Sequence, residues 1–211
     1  MTFVYVFVGL VCLIVLIGIV WSVLARSRQI PCHAWLSWLV ELDSPFTRTN
    51  RAHVIIERSD VRPGMAVLDL GCGPGRLTVP LAQRVGEQGE VVAVDIQEAM
   101  LDRAREKARA AGLANVRFVR AAAGQGELGR DRFDRAFLVT VLGEIPDRDA
   151  ALKEIFAALR PDGILSVTEV VFDPHFQTQG SIIRRAAAVG FRETARHGNR
   201  LAFTLILQRP R

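Results

Sequence analysis

A glycine-rich loop preceded by an acidic residue is the part of the sequence best suited to bind a ligand. The loop lies within Val67–Gly75, which reads VLDLGCGPG. Its glycines, Gly71, Gly73 and Gly75, allow a sharp backbone turn and leave room for a ligand beside the main chain. Asp69 adds a negative charge that disfavours a pyrophosphate and favours an ammonium or sulfonium group. Because the GxGxG spacing also differs from the GxGxxG of dinucleotide loops, the loop predicts a cationic small ligand.

Two further segments follow this loop in a characteristic order. The run VVAVD ends in a second acidic residue, Asp95, and Leu159–Leu165 reads LRPDGIL. Together the three segments resemble class I S-adenosylmethionine-dependent methyltransferases, over roughly residues 45–209. Within that family, VRPGMAVLDLGCGPGRLTVPLA and the stretch ending at Leu142–Asp147 are most similar to the small-molecule branch related to ubiquinone and menaquinone C-methyltransferases. The resemblance implies an enzyme that uses S-adenosyl-L-methionine and releases S-adenosyl-L-homocysteine.

The resemblance also implies which residues contact the cofactor. Asp95 would accept hydrogen bonds from both ribose hydroxyls, and Ile96 would pack on the adenine. The family often carries an acidic residue after strand three, which is absent from this chain, so backbone groups at Ala121 and Ala122 or the side chain of Gln125 are the expected adenine partners. The predicted cofactor contacts are Asp69, Gly71, Cys72, Gly73, Gly75, Asp95, Ile96, Ala122 and Thr140.

Candidate residues for the methyl acceptor should follow strands four and five, where an open α/β sheet binds its ligands. Glu144 is a candidate for orienting the acceptor, or else a helix-capping or salt-bridged carboxylate. His175 is a candidate base, or else a residue of an ordinary surface loop after the Asp173-Pro174 turn. The segment 139–144 lacks the Asn/Asp-Pro-Pro-Tyr/Phe signature of enzymes that methylate adenine or glutamine nitrogen. No Cys/His spacing suits a zinc site, so no metal is predicted.

Alternating strand and helix patterns indicate the elements that position these residues. Short, continuously apolar runs such as VLDL and AFLVTV are typical of strands buried on both faces. Alternation with helices predicts a Rossmann-like, doubly wound α/β sheet. The four-residue link 197–200 between the last two strands requires an antiparallel C-terminal hairpin. We therefore predict seven strands, at 66–70, 90–95, 116–121, 135–141, 163–169, 191–196 and 201–207, with helices at 76–85, 98–111, 148–159 and 179–189.

The N-terminal stretch Thr2–Ala25 contains no charged side chain. At about 1.5 Å per residue it is about 36 Å long, enough to span a hydrocarbon core of about 30 Å. No basic residue precedes it, as a signal peptide would require, so residues 1–28 are predicted to be an uncleaved transmembrane anchor. Because Arg26 and Arg28 follow the span, the positive-inside rule predicts a single-pass membrane protein with a cytoplasmic catalytic domain.

The predicted domain order is the anchor at 1–28, an apolar segment at 29–48 and a catalytic domain at 49–211. In a helical arrangement, Trp35 and Trp38 of the middle segment fall on one face with Leu39 and Leu42. Such a helix would either lie on the bilayer surface or connect to and pack against the catalytic domain.

Composition narrows the function classes. Lys and Arg number 27 against 22 Asp and Glu, and this charge is scattered, which argues against a dedicated nucleic-acid surface and weakly for contact with membrane lipid. The leading interpretation is methylation of a small, lipophilic acceptor at the cytoplasmic membrane face: a quinone precursor, a phospholipid head group or another hydrophobic metabolite. Two alternatives remain open: a methyltransferase for a soluble metabolite or protein that is merely placed at the membrane, and a non-catalytic membrane scaffold. Both acidic residues of the predicted cofactor site are present, which favours an enzyme.

Overall fold

The computed structural model describes residues 50–211, together with the single residue Tyr5. Helices and strands alternate along the described part of the chain, as predicted. The elements are α1 (Ala52–Arg58), β1 (Ala66–Leu70), α2 (Thr78–Val85), β2 (Glu90–Asp95), α3 (Glu98–Ala110), β3 (Val116–Arg120), β4 (Phe133–Val139), α4 (Arg148–Ala158), β5 (Leu159–Val170), α5 (Gln179–Val189), β6 (Arg192–Gly198) and β7 (Ala202–Gln208).

The strands of residues 50–211 form one seven-stranded sheet in the order β3-β2-β1-β4-β5-β7-β6. Strands β1 to β5 pair in parallel with their neighbours. Strand β7 lies antiparallel between β5 and β6, because the short link after β6 reverses the chain. The predicted fold class, a mostly parallel seven-stranded α/β sheet with an antiparallel C-terminal hairpin, is confirmed.

Helices cover both faces of this sheet, which explains why its central strands are continuously apolar. In β4, Phe137 packs on the face covered by α1 and α2, and Leu138 packs on the face covered by α4 and α5. A small third cluster joins Cys72 and Ala93 to Leu101 of α3. The two-sided core fixes the orientation of each strand, and hence where each strand ends.

The chain reverses its direction of travel across the sheet between β1 and β4. From β1 it moves outward through β2 to β3, and it then returns to β4 on the other side of β1. Ligands of open α/β sheets bind where the strand order reverses, beyond the carboxyl ends of the strands. We call this border of the sheet the carboxyl edge, and the opposite border the amino edge.

Some predicted boundaries are wrong by a few residues. Helix α2 begins at Thr78 instead of residue 76, and β4 covers 133–139 instead of 135–141, because Thr140 takes a φ of +56° and turns the chain. Strand β5 begins at Leu159 instead of residue 163, since Leu159 already pairs with Phe133 ahead of a register shift. Helix α1 is not among the predicted elements, because its seven residues bury only two side chains and are too few to show a clear helical period.

The predicted membrane anchor at 1–28 and the predicted helix at 29–48 lie outside the described residues, Tyr5 excepted. Among the residues that the structure does describe, no helix combines the length and the apolar character needed to cross a bilayer.

Candidate active site

The glycine loop begins where β1 ends and is fixed to β2. The backbone N–H groups of Gly71 and Cys72 both donate to the carbonyl of Val94, at 2.8 and 3.0 Å. Gly71 has a φ of +72°, and a Cβ at this position would lie 2.5 Å from a methyl carbon of Val141. A Cβ at Gly75, where φ is +83°, would lie 3.0 Å from that of Ala104. These two glycines are therefore required by close packing within the protein.

Gly73 differs from the other two glycines of the loop. Its φ is +52°, but a Cβ built on it would meet no heavy atom within 4 Å. The backbone at Gly73 thus borders open space at the carboxyl edge, as a loop that receives a ligand against its main chain requires. Next to it, Cys72 is buried, and its thiol lies 3.6 Å from the carbonyl of Gly73. Burial raises the pKa of the Cys72 thiol, so the thiol stays neutral and packs against Ala93 and Leu101.

Asp69 provides a buried negative charge beneath the loop. Its side chain is only 4% exposed, and one carboxyl oxygen accepts a 2.6 Å hydrogen bond from the hydroxyl of Thr78. Burial raises the pKa of Asp69 to about 6, against the opposing effects of the Thr78 hydrogen bond and the positive charge of Arg76. A cationic ligand would offset the cost of burying this carboxylate.

Asp95 ends β2 and connects it to the glycine loop. One carboxyl oxygen accepts from the N–H of Gly73 and the other from the N–H of Gln97, each at 2.9 Å. Burial raises the pKa of Asp95, and these backbone hydrogen bonds counteract the rise. Each carboxylate oxygen has a second acceptor position, so a pair of ligand hydroxyls can still bind. The adjacent Ile96 is 49% exposed, which leaves an apolar surface beside this carboxylate.

The loop that follows β3 completes this side of the site. The N–H of Ala121 donates to the backbone carbonyl of Asp95 at 3.2 Å, and Ala122 is half-buried beyond it. Glu154 of α4 holds this loop and accepts hydrogen bonds from the backbone N–H groups of Gly124 and Leu128. It is not among the predicted site residues. Gln125, a candidate adenine partner, lies in the same loop and is exposed.

Thr140 follows β4 in a strained conformation. A φ of +56° is unusual for a β-branched residue. Its N–H donates to the carbonyl of Thr168 at 2.8 Å, and its hydroxyl donates to the carbonyl of Val139 at 2.7 Å. Strain of this kind is common at functional sites. The positive φ of Thr140 turns the chain from β4 into the segment that carries Glu144.

On the acceptor side, the loop after β4 packs against the loop after β5. A Cβ at Gly143 would overlap the carbonyl oxygen of His175, so only glycine permits this contact. Arg148, in the first turn of α4, donates to the carbonyls of Leu142 and Gly143 at 3.1 and 2.8 Å. The two loops therefore form one rigid wall of the site.

Glu144 lies in this wall, half-buried. Burial raises its pKa to about 8, and the negative charges of Asp173 and Asp95 add to the rise. Helix α4 is capped by Asp147, whose side chain accepts from the N–H of Ala150. No ion pair to Glu144 occurs within residues 50–211. The interpretation of Glu144 as a helix cap or a salt-bridge partner is therefore wrong for the described part of the chain.

Glu169, at the end of β5, is a second acidic residue of the wall that sequence analysis did not select. It is 1% exposed, and one of its oxygens accepts from the N–H of Gln177 at 3.2 Å. The other oxygen is buried and has no hydrogen-bond partner in the described structure. Burial raises the pKa of Glu169 to about 8, an effect reinforced by Asp173 and Glu144 and opposed by Arg148. A carboxylate near the carboxyl end of an apolar strand is the sequence feature that could have identified Glu169 as a site residue.

His175 is buried, at 6% exposure, so the interpretation of an ordinary surface residue is wrong. Its backbone N–H donates to a carboxyl oxygen of Asp173 at 2.6 Å, and its backbone carbonyl accepts from the side-chain amide of Gln177 at 2.8 Å. These contacts give its backbone a clear role in shaping the wall. Within residues 50–211, no three His, Cys, Asp or Glu side chains are arranged to hold a metal ion.

Comparison with known proteins agrees with this geometry. Residues 62–197 match the model of a protein family described as a methyltransferase domain. The ubiquinone/menaquinone biosynthesis C-methyltransferase UbiE of Vibrio vulnificus strain YJ016 is 42% identical over 123 residues, which are 56% of this chain and 47% of the relative. UbiE of Shewanella sp. strain ANA-3 is 43% identical over 115 residues, 54% of this chain and 46% of the relative. The match thus spans about half the length of these curated relatives.

Solved structures share the fold. A SAM-dependent methyltransferase from Aquifex aeolicus superimposes with a TM-score of 0.76 at 20% identity, covering 84% of this chain and 98% of that protein. The [4+2]-cyclase SpnF superimposes with a TM-score of 0.68 at 19% identity, covering 77% of this chain and 81% of that protein. Identities this low show the fold alone, and the cyclase illustrates that one fold serves different reactions.

Proposed function

This chain belongs to the methyltransferase-domain family. We propose that it is an S-adenosylmethionine-dependent methyltransferase that acts on a small lipophilic acceptor at the cytoplasmic face of a membrane. The proposed acceptor is a hydroxylated ring of the quinone-precursor class. The observation that carries the acceptor side of this proposal is the position of Glu144. Glu144 is half-buried and follows Gly143, the residue at which the loop after β4 packs against His175. The charges of Asp173 in the acceptor half and of Asp95 in the cofactor half both act on it. A carboxyl group that can accept a proton once it is ionised therefore lies where the two halves meet.

The residues of the cofactor half fit S-adenosylmethionine. Asp69 offers a buried negative charge to a cation, and Gly73 offers open space beside the main chain. Asp95 retains acceptor positions for the ribose hydroxyls, and the exposed face of Ile96 is available to the adenine. When bound, the cofactor supplies an electrophilic methyl group on a sulfonium. The protein's task is then to align the acceptor with that methyl group and to exclude water.

Glu144 is the proposed general base of the reaction. When a methyl group enters a hydroxylated ring, one proton must leave the acceptor. A base is most effective when its pKa lies near the working pH, and burial raises the pKa of Glu144 to about 8. The half-buried group, as the carboxylate, would take the proton from the acceptor hydroxyl as the ring carbon bonds to the methyl group and the methyl–sulfur bond breaks, which would release S-adenosyl-L-homocysteine. The hydrogen already on that ring carbon would then move to the ring oxygen and restore the aromatic ring. Glu169, near the end of β5, would lie on the same side of the ring as Glu144.

The similarity to UbiE supports the quinone-precursor class, because the name of those relatives describes C-methylation in ubiquinone and menaquinone biosynthesis. The sequence supports the membrane location, because Thr2–Ala25 is uncharged and Arg26 and Arg28 follow it. Deleting residues 1–28 should move the chain from the membrane fraction to the soluble fraction. If the shortened chain still sediments with membranes, the proposed anchor is wrong.

The acceptor is tested with labelled S-adenosylmethionine and two substrates that share one hydroxylated ring, with and without a prenyl tail. We expect methyl transfer to both rings, and faster transfer to the ring with the tail. Glu144→Gln should lower turnover about 10²- to 10⁴-fold, the usual contribution of a general base, and change cofactor affinity far less. The matched control is Glu106→Gln, an exposed carboxylate on α3, which should retain full activity. Turnover only with soluble metabolites or proteins would contradict the proposal.

A further inference from the structure

Exposed apolar side chains are distributed unevenly over residues 50–211. The large apolar residues with the greatest exposure are Ile96 at 49%, Val171 at 37%, Phe172 at 80% and Leu201 at 58%. Ile96 follows β2, the next two follow β5, and Leu201 precedes the antiparallel β7. All four therefore lie at the carboxyl edge, the edge that carries the candidate active site.

Three of these side chains form a single projection, which we call the apolar tip: Val171, Phe172 and Leu201. The N–H of Val171 donates to the carbonyl of Leu201 at 2.7 Å and joins the two loops. The exposed Arg200 stands next to Leu201. Asp173 directly follows the tip, and its charge acts on both Glu144 and Glu169. The tip is thus continuous with the acceptor side of the site.

The N-terminal part of the chain reaches the domain at the same edge. Arg76, which follows the glycine loop, donates to the carbonyl and the side-chain oxygen of Asn50 at 2.7 and 2.9 Å. Asn50 therefore lies at the carboxyl edge. The uncharged stretch Thr2–Ala25 ends 25 residues before it. A domain anchored through that stretch would be tethered by the edge that bears the apolar tip.

From these observations we infer that the apolar tip inserts into the head-group region of an anionic bilayer and places the carboxyl edge against the membrane. Phe172 projects into solvent, a shape suited to insertion between lipids. Arg200 supplies a positive charge beside it, and the whole chain carries a net charge of +5, which favours an anionic surface. The inference rests on the proposed function only in that a lipophilic acceptor would then enter the site directly from the bilayer.

The test uses the full chain reconstituted into vesicles that contain phosphatidylglycerol. In a background of Cys12→Ser and Cys32→Ser, a nitroxide is attached at Phe172→Cys and its accessibility to oxygen and to a water-soluble nickel chelate is measured. We expect that vesicles raise oxygen access and lower nickel access several-fold at position 172. The matched control is Gln88→Cys, an exposed position at the amino edge, which should stay accessible to nickel.

Nickel access at position 172 equal to that at position 88 in vesicles would overturn the inference. Concentration-dependent protection of position 172 without vesicles would also overturn it, because a second copy of the chain would then cover the tip. Neither measurement requires activity, so failure here is distinct from failure of the proposed function. In a second test, Phe172→Ser with Leu201→Ser should lower turnover of a tailed acceptor in vesicles and leave turnover of a tail-less acceptor unchanged. Equal losses on both acceptors would contradict insertion of the tip.

Discussion

Replacing Gly73 of the loop by alanine tests whether the open space beside its backbone is needed for cofactor binding, apart from the backbone strain that the substitution causes. Gly73 has a φ of +52°, and no heavy atom lies within 4 Å of the point that a Cβ would occupy. Alanine there must adopt the left-handed conformation, which costs roughly 1–2 kcal/mol. The free protein itself has room for the added methyl group. Gly112 provides the matched control, because its φ is +69°, its Cβ space is also open, and it follows α3 at the amino edge.

Both variants should therefore lose about the same folding free energy, and only one should lose affinity. For each we expect a fall in melting temperature of about 2–8 °C, because about 1 kcal/mol shifts the melting temperature of a domain of this size by about 2–4 °C. Calorimetric titration with S-adenosylmethionine should show at least a tenfold weaker affinity for Gly73→Ala, equivalent to about 1.4 kcal/mol. Gly112→Ala should bind the cofactor as the parent chain does.

Unchanged affinity in Gly73→Ala, with the expected loss of stability, would show that the open space at Gly73 is not cofactor space. The assignment of the glycine loop would then be wrong. Equal loss of affinity in both variants would mean that the titration reports general destabilisation, and the local geometry at Gly73 would not explain the loss.

Three further predictions concern the neighbours of this loop. Burial raises the pKa of Asp69 to about 6, so the folding stability that its protonated form contributes is complete below pH about 4 and is lost as the pH rises through about 6. Urea unfolding across this range should show that loss of stability, and the Asp69→Asn variant should not show it. Glu154→Ala removes two hydrogen bonds from the loop after β3, so cofactor affinity should fall about three- to tenfold by calorimetry; unchanged affinity would show that this loop does not contribute. Gly143→Ala would overlap the carbonyl of His175 and separate the two acceptor loops, so steady-state turnover should fall at least tenfold while cofactor affinity holds; equal losses of both would refute separate halves.

The cofactor half of the site was predictable because its residues lie close to strand ends in a fixed order. Asp69 and Asp95 each belong to an apolar strand that sequence analysis identifies, and the sheet topology then brings them together. The strain at Thr140 was not predictable, because a positive φ in a β-branched residue arises from tertiary contacts that override local preference.

The acceptor half depended on contacts that no spacing encodes. Glu144 and Glu169 are 25 positions apart in the chain, and their interaction requires two loops to pack at Gly143. Glu154 acts from the middle of α4 on a loop that precedes it by about 30 residues. Helical periodicity places such a residue on a helix face, but it does not indicate which loop lies opposite.

The position of Glu144 between the two halves has a chemical consequence. Burial, reinforced by the negative charges of Asp173 and Asp95, raises its pKa to about 8, so in the free protein at neutral pH this carboxyl is mostly protonated. A cation beside it acts in the opposite direction and favours the ionised form. The sulfonium of the cofactor is such a cation, and it would be bound in the cofactor half of the site, which Glu144 adjoins. Glu144 would therefore become an effective proton acceptor mainly when the cofactor is present, which couples acceptor activation to the presence of a methyl donor.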